Sequence, residues 1–157
     1  MPQASFDLAD ESATAALGHA LAELLPVPAA IGLNGPLGAG KTRLVQAVAE
    51  AVGIDRRTVT SPTFVLVQEY HGSRSIYHAD AYRLRDEDEF WQLGLDERFV
   101  EPVWVFVEWA ERFPDSLPPD RLDIRLTPLD GPRRRVELLA HSERFAPLLA
   151  ALQRFGD

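Results

Sequence analysis

One short segment of the chain has residue types and spacing that suit phosphate chemistry. Residues 35–42 read Gly-Pro-Leu-Gly-Ala-Gly-Lys-Thr, which matches the pattern G-x-x-x-x-G-K-[S/T]. The glycines of this pattern let backbone N–H groups turn towards phosphate oxygens, in front of a helix N-terminus that favours anions. Lys41 supplies a positive charge for the β- and γ-phosphates, and the Thr42 hydroxyl is suited to ligate Mg²⁺. The segment therefore predicts a nucleoside triphosphate site.

The use of lysine supports this prediction. Lys41 is the only lysine in the chain, whereas arginine occurs fifteen times. A compact ammonium group has been kept at the one position of the pattern that needs it. We predict that Lys41 is catalytic as well as nucleotide-binding. The predicted nucleotide-binding residues of this segment are Gly35, Leu37, Gly38, Ala39, Gly40, Lys41, Thr42 and Arg43.

Length and composition set the class of protein. With 157 residues, of which 46% are hydrophobic, the chain is expected to form a single domain over residues 1–157 with a substantial core. It has no cysteine, which excludes disulfides and thiolate metal sites and predicts a reducing cytoplasm. No apolar run approaches membrane-spanning length. A net charge of −8 disfavours nonspecific binding to nucleic acid or anionic membranes, so any RNA is expected to be held by a partner.

Hydrophobic periodicity predicts alternating strands and helices. The apolar runs at 29–34 and 103–107 have the character of strands buried on both faces, which favours an α/β sandwich with a mixed sheet. The further predicted strands cover 4–8, 64–70, 75–79, 122–126 and 135–139. The predicted helices cover 11–25, the residues from the glycine-rich loop to about Val52, Arg85 to Leu93, and 146–154.

Two carboxylates are expected to lie beside the loop. In α/β sheets, ligands bind outside the carboxyl ends of the strands, where Asp80 and Glu108 follow their strands. Because one or two carboxylates suffice for Mg²⁺ bound to a triphosphate, we predict that Glu108 and Thr42 are metal ligands. Glu108 is also predicted to be catalytic. Asp80 is predicted to be catalytic, either by orienting a water or by acting as a switch that responds to the γ-phosphate.

Three other features keep two interpretations each. The hydroxyl-rich connector at 60–63 is either a capped turn or part of the site. Trp109 either packs in the core or an interface, or contacts the nucleotide. His78 is expected to pack beside its strand rather than to act as a ligand.

Several ordered motifs together resemble one family. The chain is similar to the TsaE family, formerly YjeE, of small bacterial ATPases required to make threonylcarbamoyladenosine on tRNA. The similarity runs from the E-x-x-T of Glu11–Thr14 to the basic run at 133–135. The motifs that carry it are L-G-A-G-K-T at 37–42, S-P-T-F at 61–64, H-A-D-A-Y-R-L at 78–84 and V-E-W at 107–109.

The resemblance implies roles for the residues already singled out. It implies a three-layer P-loop-type sandwich with a mixed parallel and antiparallel sheet. Thr42 and Glu108 would hold Mg²⁺, Asp80 would act in the catalytic or switch region, and the 60–63 connector would sense the γ-phosphate. Trp109 would lie near the nucleotide or a partner surface.

The resemblance also implies contacts at the adenosine end of the nucleotide. These contacts come from Glu11 and from a basic residue after Gly131. Pro132 shifts that basic residue, so the choice lies between Arg133 and Arg134, and Arg133 is taken as the predicted ligand.

The resemblance implies ATP and Mg²⁺ as cofactors and a TsaB–TsaD-like complex as partner, with tRNA met only through that partner and no membrane involved. The alternative is a small-molecule kinase, since the same loop opens many of those. A kinase needs a lid bearing arginines, and residues 111–120 hold only Arg112 with three prolines. A GTP switch is disfavoured because its guanine-reading motif needs a second lysine.

Overall fold

A computed structural model describes residues 2–60 and 66–155 of the chain. Within this part, seven strands form one sheet and five α-helices flank it. The strands are β1 (Gln3–Leu8), β2 (Ala29–Asn34), β3 (Val67–His71), β4 (Ser75–Asp80), β5 (Trp104–Glu108), β6 (Leu122–Pro128) and β7 (Arg134–Ala140). The helices are α1 (Glu11–Leu24), α2 (Lys41–Ala51), α3 (Glu87–Trp91), α4 (Leu95–Arg98) and α5 (Ala146–Leu152).

The sheet is mixed, as predicted. Its strand order is β1-β7-β6-β2-β5-β4-β3. The four central strands β6, β2, β5 and β4 run parallel, whereas β3 and β7 pair antiparallel with their neighbours and β1 pairs antiparallel with β7. The carboxyl ends of the four parallel strands therefore meet at one edge of the sheet, and the segments that follow them are brought together there.

Each face of the sheet carries its own hydrophobic cluster. Side chains alternate along β5, so that Trp104 and Phe106 face one side and Val105 and Val107 face the other. The first side packs against residues of α1, α2 and α5, and the second against Phe90 and Leu95 of the short helices α3 and α4. Helices on both faces of the sheet confirm the three-layer arrangement.

Helix α1 positions α2. Its N-terminus is capped by Asp10, whose carboxylate accepts the Ala13 N–H at 2.9 Å. Further along α1, a Cβ atom added to Gly18 would lie 2.3 Å from the Ala47 Cβ. Glycine at this position therefore allows the two helices to approach closely. This packing fixes α2, whose first residue, Lys41, belongs to the glycine-rich loop.

Two predicted elements differ in the structure. The strand predicted over 64–70 is β3, Val67–His71, which extends one residue further than predicted; Leu66 lies outside it with a φ of 67°, and residues 61–65 lie outside the described part. The helix predicted from Arg85 to Leu93 is shorter in the structure, Glu87–Trp91, and a second helix that was not predicted, Leu95–Arg98, follows Gly94, which has a φ of 74°. This glycine, in the left-handed region, is the N-cap of the second helix and lets the chain turn between the two.

No helix among residues 2–60 and 66–155 is both long enough and apolar enough to span a membrane.

Candidate functional site

The loop between β2 and α2 turns in a way that requires glycine. Gly35 has a φ of 136°, and a Cβ atom added to it would lie 2.2 Å from the backbone oxygen of Leu126. Gly40, directly before α2, has a φ of 106°. Side chains are disfavoured at these φ values, and at Gly35 there is also no room for one. The spacing of glycines in the sequence therefore follows from a tight strand-to-helix turn.

Lys41 is enclosed by this turn. Its side chain is buried, with the residue 5% exposed. The Nζ atom donates to the backbone oxygens of Gly35 and Pro36, the second at 3.1 Å, and lies 3.9 Å from the centre of the Trp109 ring. Burial lowers the pKa of Lys41, and the negative charge of Glu108 opposes this effect in part. An ammonium group held with little water around it interacts strongly with an incoming anion.

Trp109 covers the lysine in a constrained backbone conformation. It follows β5 with a φ of 61°, a value that is rare for a residue other than glycine. The backbone N–H of Trp109 donates to the backbone oxygen of Leu33 at 2.8 Å, and its ring packs against the ring of Tyr82 with centroids 4.9 Å apart. Backbone strain of this kind is often found at functional sites, where the surrounding structure enforces it. The strained turn places the indole on Lys41.

The two predicted carboxylates lie side by side beyond the loop. Asp80 and Glu108 are the last residues of β4 and β5, are paired in register, and are each 3% exposed. The Thr42 hydroxyl donates to Glu108 Oε2 at 2.9 Å. The Asp80 Oδ1 atom accepts the Tyr82 N–H at 2.8 Å. The sequence places Thr42 and Glu108 sixty-six residues apart, and the parallel pairing of β2 with β5 brings them together.

These residues line one pocket of about 380 Å³. It brings together most of the residues predicted to bind nucleotide or metal and adds Tyr82. Its lining is Leu37, Gly38, Ala39, Gly40, Lys41, Thr42, Arg43, Asp80, Tyr82, Glu108 and Trp109.

His78 is a site residue that the sequence analysis assigned to packing. It is fully buried, and its Nε2 atom lies 2.5 Å from Glu108 Oε2. A signal was present in the sequence, because His78 precedes Asp80 by two residues on β4 and so shares its face of the sheet.

A second hollow of about 320 Å³ lies on the other side of the loop. Glu11 enters it and accepts a hydrogen bond from Arg43 Nε at 2.8 Å. Arg134 also lines it and donates to the Ala39 oxygen at 3.2 Å. Arg133 instead pairs with Asp7 at 3.3 Å and is not part of this lining. Of the two arginines left open by the sequence, Arg134 is therefore the one beside the loop.

The donor set suits a magnesium ion shared with a nucleotide. Within residues 2–60 and 66–155, no group of three or more histidines and carboxylates is arranged to hold a metal by itself. Thr42 and Glu108 supply two oxygen-bearing side chains, and Mg²⁺ normally takes its other ligands from water and phosphate. Of the connector at 60–63, residues 61–63 lie outside the described part.

Comparison with known proteins identifies relatives over most of the chain. YdiB of Bacillus subtilis, solved by crystallography, superimposes with a TM-score of 0.80 at 29% identity, covering 99% of this chain and 97% of that one. The tRNA threonylcarbamoyladenosine biosynthesis protein TsaE of Bacillus subtilis is 40% identical over 80% of this chain and 78% of its own length. The protein of the same name from Nostoc is 35% identical over 91% of this chain and 90% of its own.

A family model agrees with these relatives. The model of the threonylcarbamoyl adenosine biosynthesis protein TsaE matches residues 8–136, which include the glycine-rich loop, both carboxylates and the two arginines. The chain therefore belongs to the TsaE family of tRNA threonylcarbamoyladenosine biosynthesis proteins.

Proposed function

We propose that this protein binds ATP with Mg²⁺ and hydrolyses it slowly, as an accessory ATPase of a TsaB–TsaD-like complex that forms threonylcarbamoyladenosine on tRNA. The observation that carries the proposal is that Lys41 and the hydrogen-bonded pair Thr42–Glu108 line the same pocket. The same pocket thus offers a cation for phosphate and oxygen atoms for a metal.

The chain's own residues would act on the terminal phosphates in distinct ways. Lys41 leaves the loop carbonyls and meets the β- and γ-phosphate oxygens, while the loop amides and the α2 N-terminus favour the same anion. Thr42 and Glu108 hold Mg²⁺, which when bound neutralises charge on the phosphates. Asp80, which is paired in register with Glu108, would orient a water or respond to the γ-phosphate.

The two hollows divide the nucleotide between them. The larger one, lined by Lys41 and the carboxylates, suits the phosphates, and the smaller one suits the adenosine. In the smaller hollow, Glu11 and Arg43 form an ion pair at 2.8 Å, and Arg134 supplies a further set of donors. Both hollows are lined by Ala39, Gly40 and Arg43, so one ligand can pass from the first to the second across the loop.

The rim of the phosphate pocket supports a protein partner. Leu37 is 91% exposed and Tyr82 is 55% exposed, and both line that pocket. Contiguous exposed apolar patches mark interaction surfaces, and these two side chains would form part of such a patch. The net charge of −8 makes a direct hold on RNA unfavourable, so tRNA is reached through the partner.

The kinase alternative gains nothing from the fold. The segment predicted to be a poor lid contains two short 3₁₀ turns, Ala110–Arg112 and Pro114–Ser116. Its one arginine, Arg112, donates to the backbone oxygens of Ala81 and Tyr82 and so ties the two strand ends together. That arginine is therefore committed to the scaffold rather than to a transferred phosphoryl group.

The test combines turnover with capture of the partner. Purified protein is assayed for release of phosphate from ATP with Mg²⁺, alone and with TsaB–TsaD homologues added, and is used as bait in lysate with and without ATP. We expect slow hydrolysis alone, faster hydrolysis with the homologues, and their ATP-dependent capture. Rapid phosphorylation of a small acceptor without any partner would contradict the proposal, as would an unchanged rate together with no capture.

A further inference from the structure

One oxygen of the buried carboxylate receives two hydrogen bonds. Glu108 Oε2 accepts from the Thr42 hydroxyl at 2.9 Å and lies 2.5 Å from His78 Nε2. The three residues come from three elements, α2, β5 and β4. A single carboxylate oxygen therefore links the start of the loop helix to two neighbouring strands.

The hydrogen bond that the Thr42 hydroxyl donates to Glu108 sets the direction in which the lone pairs of the hydroxyl oxygen point. A hydroxyl group has one proton to donate and two lone pairs to offer. Because the proton is directed at Glu108, the lone pairs remain for a metal ion. Any change in the position of the carboxylate would let the hydroxyl rotate and turn those lone pairs elsewhere.

Among the described residues, the imidazole of His78 has no hydrogen-bond partner other than Glu108. It is completely buried, and its Nδ1 atom has no hydrogen-bond partner within residues 2–60 and 66–155. A buried polar atom without a partner costs stability, so a histidine that served only for packing would be a poor choice here. The ring of Tyr70 lies 6.3 Å away, which provides only an aromatic contact. The polar contact of the ring with Glu108 is what distinguishes it from an apolar residue.

We propose that His78 is a positioning residue for the Mg²⁺ site: its Nε2–H holds the Glu108 carboxylate, and through it the Thr42 hydroxyl, in the arrangement that receives the metal. This inference rests on the proposed function. The hydrogen bond needs only a proton on Nε2, which is present in the imidazolium and in the neutral tautomer that is protonated at Nε2. Residues that orient metal ligands in this way commonly change metal affinity about 10- to 100-fold when they are replaced.

Two amide substitutions separate the hydrogen bond from the bulk of the ring. Glutamine places its NH₂ group near the position of Nε2, so H78Q can still donate to Glu108. Asparagine reaches only as far as Nδ1, which has no described partner, so H78N cannot. The two variants share polarity and differ in reach, and each serves as the control for the other.

The decisive measurement is binding rather than turnover. Calorimetry with a non-hydrolysable ATP analogue is performed in EDTA and in Mg²⁺, and Mn²⁺ binding in the presence of the analogue is followed by electron paramagnetic resonance. For H78N we expect about tenfold weaker metal binding and analogue binding in EDTA within about threefold of the wild type. For H78Q we expect values close to the wild type. Equal metal affinity in H78N and the wild type would overturn the proposal, as would equal losses with and without metal.

A spectrum of the wild-type protein keeps the proposal testable should H78N fail to fold. With ¹⁵N-labelled histidine, we expect a slowly exchanging proton on His78 Nε2, because that atom is buried against a carboxylate. A proton found on Nδ1 alone would overturn the proposal. If the wild type binds the analogue without any effect of metal, the proposed function fails first, and the role of His78 fails with it. If metal strengthens wild-type binding and H78N behaves as the wild type, only the role of His78 fails.

Discussion

Two pockets of similar volume open near opposite ends of the parallel strands, and they differ in how far their charged side chains are exposed to water. The pocket at the carboxyl ends, about 380 Å³, contains Lys41, Asp80 and Glu108, each at most 5% exposed. The pocket beside the start of β2, about 410 Å³, contains Asp120 and Arg144, whose side chains are 44% and 38% exposed and pair with each other at 2.6 Å. Volume alone would not separate the two pockets.

This difference in exposure shows at which end of the strands the burial of charged groups lowers the stability of the fold. Taking an ammonium and carboxylates out of water is unfavourable, and their mutual attraction rarely does more than compensate for it. A half-exposed pair such as Asp120–Arg144 keeps part of its hydration and contributes little in either direction. On the proposed function, a ligand completes the buried charges at the carboxyl ends. Four predictions follow this contrast from its largest expected effect to its smallest.

Lys41 should show the largest effect on binding. In K41M the charge-assisted contacts to the phosphates are lost, and we expect ATP affinity to fall by about 100-fold or more, since each such contact contributes about 1.5–3 kcal/mol. The melting temperature should stay within about 5 °C of the wild type, because removing a buried charge offsets the lost hydrogen bonds to the loop. R57M is the control, since Arg57 is an exposed cation distant in sequence from the loop. Retained affinity in K41M, measured by calorimetry, would remove the loop from the site.

Glu108 should separate turnover from binding. In E108Q the side chain keeps its size but loses its charge, so we expect the Mg²⁺-dependent rate to fall by about 100-fold. Binding of ATP in EDTA should change by less than about threefold, because Lys41 and the loop amides remain. D120N is the control at the opposite pocket and should hydrolyse ATP at the wild-type rate. An E108Q protein with unchanged turnover would exclude Glu108 as a metal ligand.

The two arginines after Gly131 offer a finer test, because they are neighbours in sequence. Arg134 lines the smaller hollow and donates to the Ala39 oxygen, so R134A should weaken ATP binding by about tenfold, the equivalent of one charge-assisted contact. Arg133 pairs with Asp7 outside that hollow, so R133A should bind ATP as the wild type does. The opposite result would return the adenosine contact to Arg133.

The sequence was sufficient to predict those features of the fold and the site that are encoded by consecutive residues. The glycine-rich loop is eight consecutive residues, so its role as a strand-to-helix turn around Lys41 could be predicted directly. The buried strands β2 and β5 were equally clear, because continuous apolar runs predict burial on both faces. The capping of α1 by Asp10 is local in the same way, since the cap and the helix that it begins are adjacent.

Contacts that depend on sheet register were harder to predict. The local alternation places His78 on the same face as Asp80, but its approach to Glu108 also requires the parallel pairing of β4 with β5, which no local pattern encodes. The choice of Arg134 did have a signal: it shares the alternation of Val136 and Leu138, which face the cluster against α2. Arg133 has the opposite parity. Had the strand predicted over 135–139 been extended by one residue towards its start, Arg134 would have been placed on the same face as Val136 and Leu138.

The smallest effect is expected at an exposed ion pair beyond the end of α2. Hydrogen bonds from Arg57 lower the pKa of Asp55 from 3.8 to about 2. Because the folded-state pKa lies below the ordinary value, the pair stabilises the fold above about pH 4, and this contribution is lost as the pH falls towards 2. Asp55 is exposed, so D55N should lower the melting temperature by only about 1 °C or less at pH 7, with the difference vanishing near pH 2. ATP affinity should not change. If D55N lost more stability than E108Q, or lost ATP binding, the contrast between buried charges that serve a ligand and exposed charges that serve little would not hold.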